Sequence, residues 1–458
     1  MSDRLTSRRG FVRGLGLLGA AATGIPALPV FAQGADDYKA LVCVILTGGL
    51  DNFDCVIPAD AQGYRAWASY RTSLLEQYER SGHKTRRREA LVALPGSSAA
   101  GHALAPELSP LAELYAQGNL AIVANVGPLV APTTRQTLEA NRSLEPDRLA
   151  SHSDQTSIWS TLNFEGAHVG WGGQFLDLLE TTSPFASMSF NGVEAFGQGQ
   201  TTDQVAISTG NFGRIPGLSA RAQWQMTRRN EILVDHLSGK GMKYTDMLTR
   251  DVARQQGLAL RQADFIRGVL DNNRAGDAVK IEGNPLSYGL ANVAAMIAAR
   301  GSHKTSRQLF VVGMKGFDNH RNEAELLPQL QGQLAQALAR FNQVLARRGE
   351  ADLVTTFTLS EFGRTLSANA TGTDHGWGGH HFVLGGAVKG GRVVGQLTPP
   401  TINHDQAWAR RGGLIPTLAI EQYGAALGEW FGVASSDVRQ VFPNLGRFDS
   451  GLVDIFNG

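Results

Sequence analysis

Residues 40–52 read ALVCVILTGGLDN, a continuous apolar run that ends in two glycines, a leucine and an aspartate. A short apolar run without polar alternation is typical of a strand that is buried on both faces, as in a parallel sheet. Four more segments have the same character, namely 120–125, 309–313, 353–359 and 382–384. The sequence therefore predicts a mostly parallel sheet in which 40–46 is one of the buried strands.

Helical patterns lie between these strands. In 323–348 leucine and phenylalanine recur at spacings of three and four, and a glycine follows as a stop signal. Further helices are predicted over 288–299 and 414–431. Strand, helix and strand in succession form right-handed crossovers, which place helices on both faces of a parallel sheet. We therefore expect an α/β fold in a single domain over 33–458, with an inserted β and helical subregion around 186–273.

The first 32 residues predict an export signal rather than a part of the fold. Arg8 and Arg9 precede an apolar run rich in glycine and alanine over 15–28, and small residues precede a cleavage site after Ala32. This arrangement resembles a twin-arginine signal. We expect the twin-arginine export machinery as a partner, a periplasmic or secreted protein, and no stable membrane span after processing.

The composition excludes a disordered chain and a polybasic nucleic-acid binder. The 458 residues include 42 Lys and Arg against 41 Asp and Glu, and 42% of them are hydrophobic. Removal of 1–32 takes away four arginines and one aspartate, which lowers the formal net charge from +1 to −2. We expect no nucleic-acid partner. Cys43 and Cys55, the two cysteines, are either paired in an oxidising compartment or buried as free thiols.

Polar side chains follow the predicted strands at the edge where ligands of open parallel sheets bind. They are Asp51 after 40–46, Asp318 and His320 after 309–313, Glu361 and Arg364 after 353–359, and Asp374, His375, His380 and His381 in a glycine-rich segment. Carboxylates and imidazoles that crowd together are unfavourable unless a cation compensates them. The pattern predicts one or two divalent metal ions, with zinc, manganese, magnesium and iron as the alternatives.

The individual motifs also have ordinary structural interpretations, which the sequence leaves open. Asp51 after two glycines is suited to capping a helix. An aspartate and a histidine separated by one residue, as at Asp318 and His320, occur by chance in many loops. Glu361 and Arg364 are suited to a local ion pair. The metal prediction therefore depends on the motifs meeting at one edge of the sheet.

The motifs in series resemble one bacterial family. They are the paired arginines of the signal, the strand that ends in Gly-Gly-Leu-Asp51, the segment Phe-Asp318-Asn-His320, the segment Ser360-Glu-Phe-Gly-Arg364, and Gly372-Thr-Asp-His-Gly-Trp-Gly-Gly-His-His381. Together they are similar, over nearly the whole chain, to the twin-arginine-exported proteins of the domain of unknown function family 1501. That family resembles the alkaline phosphatase and sulfatase superfamily, which implies a three-layer α/β/α sandwich with metal ions at the strand ends.

The resemblance implies roles for individual residues in metal binding. The matched positions are Asp51 for the aspartate after the first strand, Asp374 and His375 for the Asp-His metal pair, and Asp318 and His320 for the other Asp and His ligands. One residue separates Asp318 from His320, whereas three are usual in the phosphatases, so the register of a second metal ion stays open. Glu361 and His381 complete the predicted metal set, and His380 and His404 are alternatives for the last histidine.

The resemblance also implies where the catalytic residues lie. The nucleophile of the superfamily lies at a helix N-terminus between the first and second metal motifs, and Ser151 occupies the corresponding place here. The alternative is that Ser151 or Ser153 only caps the helix and that His152 is a surface residue. Arg364 is expected to bind the departing or bridging anionic oxygen of the substrate.

The implied function is that of an exported metal-dependent hydrolase acting on a small phosphate or sulfate ester. The sequence has no Cys-x-Pro-x-Arg signature, which argues against a formylglycine-dependent sulfatase. Two other classes stay open. One is a catalytically silent exported binding or assembly protein that retains the fold, and the other is a metal-dependent oxidoreductase delivered by the same export route.

Overall fold

The computed structural model describes residues 37–82, 86–207, 235, 246–272, 275–408, 411–448 and 453–457. The predicted signal, 1–32, lies outside the described residues, as does part of the subregion around 186–273. None of the helices in the described ranges combines the length and the apolar character that a membrane crossing requires.

Strand β1 lies inside a large sheet of nine strands. The strands of the described chain are β1 (Lys39–Thr47), β2 (Val56–Pro58), β3 (Val92–Ala93), β4 (His102–Leu104), β5 (Leu120–Gly127), β6 (Ser187–Ser189), β7 (Gln204–Ala206), β8 (Arg307–Lys315), β9 (Val354–Ser360), β10 (Gly379–Leu384), β11 (Arg392–Gly395) and β12 (Leu418–Ala419). The order in the large sheet is β11-β5-β10-β9-β1-β8-β6-β7, with β12 beside β5, while β2, β4 and β3 form a small separate sheet.

The large sheet is mostly parallel, which confirms the prediction. β1 pairs in parallel with β8 and with β9, so that Leu46 lies opposite both Met314 and Ser360. Strand β10 runs antiparallel to its neighbours β5 and β9. As a result, the carboxyl ends of β1, β8 and β9 and the amino end of β10 meet at one edge of the sheet.

Helices cover both faces of this sheet. The α-helices of the described chain are α1 (Asn52–Cys55), α2 (Ala61–Tyr70), α3 (Thr72–Ser81), α4 (Ser109–Ala116), α5 (Arg135–Ala140), α6 (His152–Thr161), α7 (Trp171–Leu178), α8 (Met247–Asn272), α9 (Pro285–Ala298), α10 (Arg300–His303), α11 (Glu323–Arg347), α12 (Ile420–Phe431) and α13 (Ser435–Val441). Val42 and Val44 of β1 share a buried apolar cluster with α9 and α11. Leu41 and Cys43 share another with α7 and α12. Because successive side chains of a strand point to opposite faces, the arrangement is the predicted three-layer α/β/α sandwich.

The structure changes one sequence-based expectation and decides between two alternatives that the sequence left open. The helix predicted over 414–431 begins only at Ile420, because Pro416 disfavours helix in the residue before it and strand β12 follows. The two cysteines are free. Cys43 and Cys55 belong to the clusters on opposite faces of the sheet, and burial raises the pKa of both thiols.

The backbone at the end of β1 approaches the loop after β8 so closely that only glycine fits. Gly48 has φ +116°, and a Cβ built on it would lie 2.3 Å from the backbone nitrogen of Asp318. Gly82 has φ +71°, but its Cβ would meet nothing within 4 Å. Substitution of Gly82 therefore introduces only the strain of a positive φ, whereas substitution of Gly48 adds a steric clash with the backbone.

We predict that Gly82→Ala lowers the free energy of unfolding by about 1 kcal/mol, because only backbone strain is introduced. Gly48→Ala should lower it by roughly 3 kcal/mol or more, because the strain is joined by a backbone clash. Urea unfolding followed by circular dichroism measures both values. Equal losses in the two variants would contradict the close approach.

Candidate metal centre

A buried arginine joins the loops at this edge of the sheet. Arg364 has no exposed surface, and its guanidinium donates hydrogen bonds to backbone carbonyls of three loops. The accepting carbonyls are those of Gly48, Gly49, Phe317 and Thr373. A further Nη2 hydrogen bond, of 2.6 Å, goes to Oδ1 of Asp318. The loops after β1, β8 and β9 are thus held together, with the Asp318 carboxylate facing the solvent side.

Three histidines direct their Nε2 atoms at Asp318. The Nε2 atoms of His320 and His375 each lie 3.2 Å from Asp318 Oδ1, and Nε2 of His152 lies 3.5 Å from Oδ2. Ligand atoms of His152, Asp318 and His375 all fall within 4.8 Å of one another. The Nε2 atoms of His320 and His375 are 2.9 Å apart. A metal-ligand arrangement is therefore assembled from α6, the loop after β8 and the glycine-rich segment.

Each of these imidazoles is held on its other nitrogen by an oxygen. Nδ1 of His375 lies 3.0 Å from the carbonyl oxygen of Ala150. Nδ1 of His152 lies 3.2 Å from Glu361 Oε2, and Nδ1 of His320 lies 3.4 Å from Asp374 Oδ1. With a metal ion at Nε2, each ring would carry its proton on Nδ1, towards this oxygen. Metal-binding histidines are usually oriented in this way.

The donor set fits a divalent transition metal. Two Nε2 lone pairs that face each other at 2.9 Å need a shared proton or a cation between them. Histidine nitrogens at the usual bond length of about 2.0–2.1 Å from one metal ion lie roughly 3 Å from each other. Imidazole and carboxylate together suit zinc, iron or manganese better than magnesium, which prefers oxygen ligands.

Arg364 lowers the pKa of Asp318, and burial lowers the pKa of His375. Burial alone raises the pKa of Asp318, but the hydrogen bond and the charge of Arg364 outweigh it, so the pKa is lowered. Burial lowers the pKa of His375, although its contacts with Ala150 and Asp318 oppose the shift. An anionic carboxylate and a neutral imidazole are the protonation states that bind metal.

Asp318, His320 and His375, which the sequence predicts as metal ligands, come together here. Glu361 and Asp374 also reach the site, but they contact the Nδ1 side of His152 and His320 and so lie outside the group of ligand atoms. Glu361 also accepts hydrogen bonds from the Gly48 backbone and the Thr156 hydroxyl. Glu361 and Asp374 therefore lie where they can orient His152 and His320.

Asp51 is engaged elsewhere. Its carboxylate binds the guanidinium of Arg71 through both oxygens, at 2.5 and 2.9 Å, and accepts hydrogen bonds from the backbone of Phe53 and Asp54 at the start of α1. The helix-cap interpretation therefore applies. Burial alone raises the pKa of Asp51, but Arg71 outweighs it and lowers the pKa. The structure thus gives Asp51 a cation of its own.

His381 lies in the core and not at the site. Its ring packs against Trp159 and Tyr423, with ring centroids 4.9 and 5.9 Å away. His380 points to the opposite side of β10, where its Nδ1 accepts a hydrogen bond from the backbone of Asn125. His404 contacts the backbone of Gln406. None of these three histidines belongs to the group of ligand atoms around Asp318.

The two residues predicted to be catalytic have structural partners. Ser151 is the N-cap of α6, and its hydroxyl accepts a hydrogen bond from the backbone of Asp154 at 3.4 Å. The donors of Arg364 are directed at backbone carbonyls and at Asp318. Arg364 is thus a residue that positions Asp318, and the prediction that it binds the substrate oxygen does not fit its contacts.

His152 is a candidate ligand that the sequence analysis did not include among the predicted site residues. It is the first residue of α6, and its ring also contacts Phe362 and His375, with centroids 5.1 and 4.6 Å away. The only signal in the sequence is a histidine directly after a serine that can cap a helix. Nothing in the local pattern links that helix to the loops after β8 and β9.

Comparison with known proteins adds the following findings. The family model described as "Protein of unknown function (DUF1501)" matches residues 38–406. No curated protein matches the sequence. Similar solved structures include a phosphonate monoester hydrolase from Silicibacter pomeroyi, with 8% identity and a TM-score of 0.34 over 87% of this chain and 74% of that one. A mutant alkaline phosphatase has 10% identity and a TM-score of 0.30 over 72% and 64%. A 2-O GAG sulfatase has 11% identity and a TM-score of 0.29 over 86% and 71%.

The core position of His381 predicts a pH dependence of stability. Burial lowers its pKa from 6.5 to about 3. As the pH falls below about 6.5, the unfolded chain takes up a proton that the folded chain refuses until about pH 3. The free energy of unfolding should therefore fall with pH, by up to about 1.4 kcal/mol per pH unit from this group.

His381→Phe removes this titration and keeps an aromatic ring between Trp159 and Tyr423, so the slope between about pH 6 and pH 4 should become shallower. Urea unfolding at a series of pH values measures it. His168→Ala, at an exposed histidine, is the matched control and should keep the wild-type slope. An unchanged slope in His381→Phe would contradict the burial of a neutral ring.

Proposed function

We propose that the chain, which belongs to the DUF1501 family, is an exported metal-dependent hydrolase of the phosphatase and sulfatase class that acts on a phosphate or sulfate ester. The observation that carries the proposal is the convergence of the Nε2 atoms of His152, His320 and His375 on Asp318. Each ring is oriented from behind by an oxygen. The arrangement supports one metal ion in the described part of the chain.

When bound, a divalent ion supplies Lewis acidity, which polarises an ester oxygen and makes water more acidic. His152, His375 and Asp318 are the residues that would hold it, with His320 next to them. Arg364 fixes the carboxylate of Asp318 by a 2.6 Å hydrogen bond. The protein thus presents the donors in a fixed geometry, which is what a metal-dependent reaction requires.

An anionic ester suits the electrostatics of the site. Helix α6 begins at His152, so its positive N-terminal end lies at the group of ligand atoms. The side chains of Asp318 and His320 are 46% and 41% exposed. Substrate can therefore reach the ligand group from solvent, and the helix end favours negative charge there.

The attacking group in this proposal is water. Ser151 lies at the start of α6, next to His152, but its hydroxyl is used as the helix cap. Glu361 and Asp374 are turned towards Nδ1 of His152 and His320. A serine mechanism would instead require the hydroxyl to leave this cap and its side-chain hydrogen bond with Asp154.

Export is part of the proposal and is based on the resemblance of 1–32 to a twin-arginine signal. We infer a periplasmic or secreted protein, the twin-arginine machinery as its partner and a small ester as its substrate. This route delivers a folded protein, which suits a site assembled from segments far apart in the chain.

A catalytically silent exported binding or assembly protein is the second candidate. The cap contacts of Ser151 favour it, because they leave no hydroxyl nucleophile engaged with the ligand group. Such a protein would keep the metal ion and lack ester hydrolysis.

We predict that the purified protein binds about one equivalent of a transition metal and that His152→Ala and His375→Ala weaken its affinity at least about tenfold. Elemental analysis after dialysis against zinc, manganese or iron measures the content. His168→Ala, an exposed histidine, should bind metal as the wild type does. If folded wild-type protein stays free of metal under these conditions, the proposed function fails.

We predict that metal-loaded protein hydrolyses nitrophenyl phosphate, bis-nitrophenyl phosphate or nitrophenyl sulfate, and that Ser151→Ala keeps kcat within about tenfold of the wild type. The same variant should lose about 1 kcal/mol of unfolding free energy with its cap. Ser153→Ala is the matched control. A folded Ser151→Ala protein with kcat reduced more than about a thousandfold would identify Ser151 as the nucleophile. Metal binding without hydrolysis of any of these esters would support the silent binding protein.

A further inference from the structure

A cavity lies on the side of α6 that faces away from the metal centre. His152 and Thr156 contact Glu361 of the metal centre, whereas Ile158 and Leu162 line the cavity. Its volume is about 440 Å³, which is within the range of small-molecule sites. Pro128 to Val130 and Ile420 also line it, so it lies beyond the carboxyl ends of β5 and β12.

One side of this cavity is apolar, and the cavity is partly open to solvent. Ile158, Leu162 and Phe164 form one side. Phe164 is 49% exposed. Leu162 adopts φ +62° because it is the left-handed C-cap at which helix α6 ends. This side of the cavity is suited to contact the apolar part of a ligand.

A buried carboxyl group lies in the same cavity. Glu421 is 5% exposed and lines the cavity together with Asn444, whose side chain forms a hydrogen bond with it. No lysine, arginine or histidine lies within 4 Å of Glu421 in the described part of the chain. Burial raises the pKa of Glu421. The charge of Arg447 opposes this shift from farther away, so among the described residues the carboxyl group has no cation in direct contact.

Two other buried carboxylates of the protein have a cation in direct contact. Asp54 is bound by Arg86 at 2.8 Å, and Glu350 is bound by Arg300 and Arg348 at 2.7 Å each. Glu421 differs from them in facing a cavity that a ligand can enter.

The arginines at the mouth of the cavity are already engaged. Arg142 lies 3.5 Å from Glu145 Oε2, and Arg447 donates a hydrogen bond to the carbonyl oxygen of Val130 at 3.1 Å. Arg142 is mostly exposed to water, as is Arg447. Glu145 and Asp147 also line the cavity, so its acids outnumber its bases by three to two. An anion is therefore disfavoured.

We propose that this cavity binds a small organic cation, with its ammonium group at Glu421 and its apolar body against Ile158, Leu162 and Phe164. The bound ammonium group would compensate the charge of the buried carboxylate, as arginines do at Asp54 and Glu350. The site is separate from the metal centre and does not depend on the proposed hydrolase activity.

The experiment measures binding of phenethylamine and phenylpropionate to the purified, metal-loaded full chain by ligand-observed NMR. The amine should bind saturably and at least about tenfold more tightly than the acid, a difference of about 1.4 kcal/mol. Glu421→Gln, which keeps the shape of the side chain, should weaken the amine about tenfold. Glu429→Gln, on the same helix but outside the cavity lining, should leave binding unchanged.

The proposal is overturned if phenethylamine shows no saturable binding to the wild type, if the acid binds as tightly as the amine, or if Glu421→Gln binds the amine as the wild type does. Thermal melting of both variants establishes that they are folded. The comparison of the two probes on the wild-type protein decides the question even if Glu421→Gln fails to fold.

Discussion

The hydrogen bonds of Arg364 are the interaction on which the site depends. Its guanidinium has no exposed surface and would be unfavourable there without partners. Backbone carbonyls of Gly48, Gly49, Phe317 and Thr373 and the Asp318 carboxylate supply them. Because these acceptors belong to different loops, burying one cation fixes the loops relative to one another. The close backbone approach at Gly48 is the steric counterpart of the same constraint.

Below these loops, a set of buried charges supports the site without taking part in it. Arg71 binds Asp51, and Arg86 binds Asp54 and Glu107. Glu323, at the start of α11, forms a hydrogen bond with Asp51, and burial together with that carboxylate raises its pKa well above the usual range. A protonated Glu323 can donate to Asp51, which removes one negative charge from the interior. Breaking such buried pairs is more costly than their net contribution to stability suggests.

Much of the fold could be predicted from residue patterns. The continuous apolar runs identified β1, β5, β8, β9 and β10, because strands buried on both faces leave no room for polar alternation. The start of α12 was missed because Pro416 and β12 interrupt a stretch whose apolar residues look helical. Whether a strand runs parallel or antiparallel is not encoded in its composition, so the direction of β10 was not predictable either.

The location of the site could be predicted from the sequence, but the residues that form it could be predicted only in part. Asp318, His320 and His375 follow from loops at the strand ends, whereas His152 comes from a helix that no local pattern connects to them. His380 and His381 are neighbours in sequence, but side chains alternate along a strand, so these two lie on opposite faces of the sheet. Only the register of β10 against β5 determines which face each of them occupies. Glu361 and Asp374 have the residue types of metal ligands. Only three-dimensional distances show that they face Nδ1 of an imidazole.

The exposure of the ligand group bears on whether a metal ion there would be structural or catalytic. Structural metal sites are closed, with every coordination position taken by protein, whereas catalytic sites keep a position open. Asp318 and His320 are 46% and 41% exposed, although Arg364 beneath them is fully buried. Arg364 and the buried charge pairs already join the loops at this edge without a metal ion. A group of metal ligands that is held in place from below and is open to solvent is better suited to a catalytic metal ion than to a structural one.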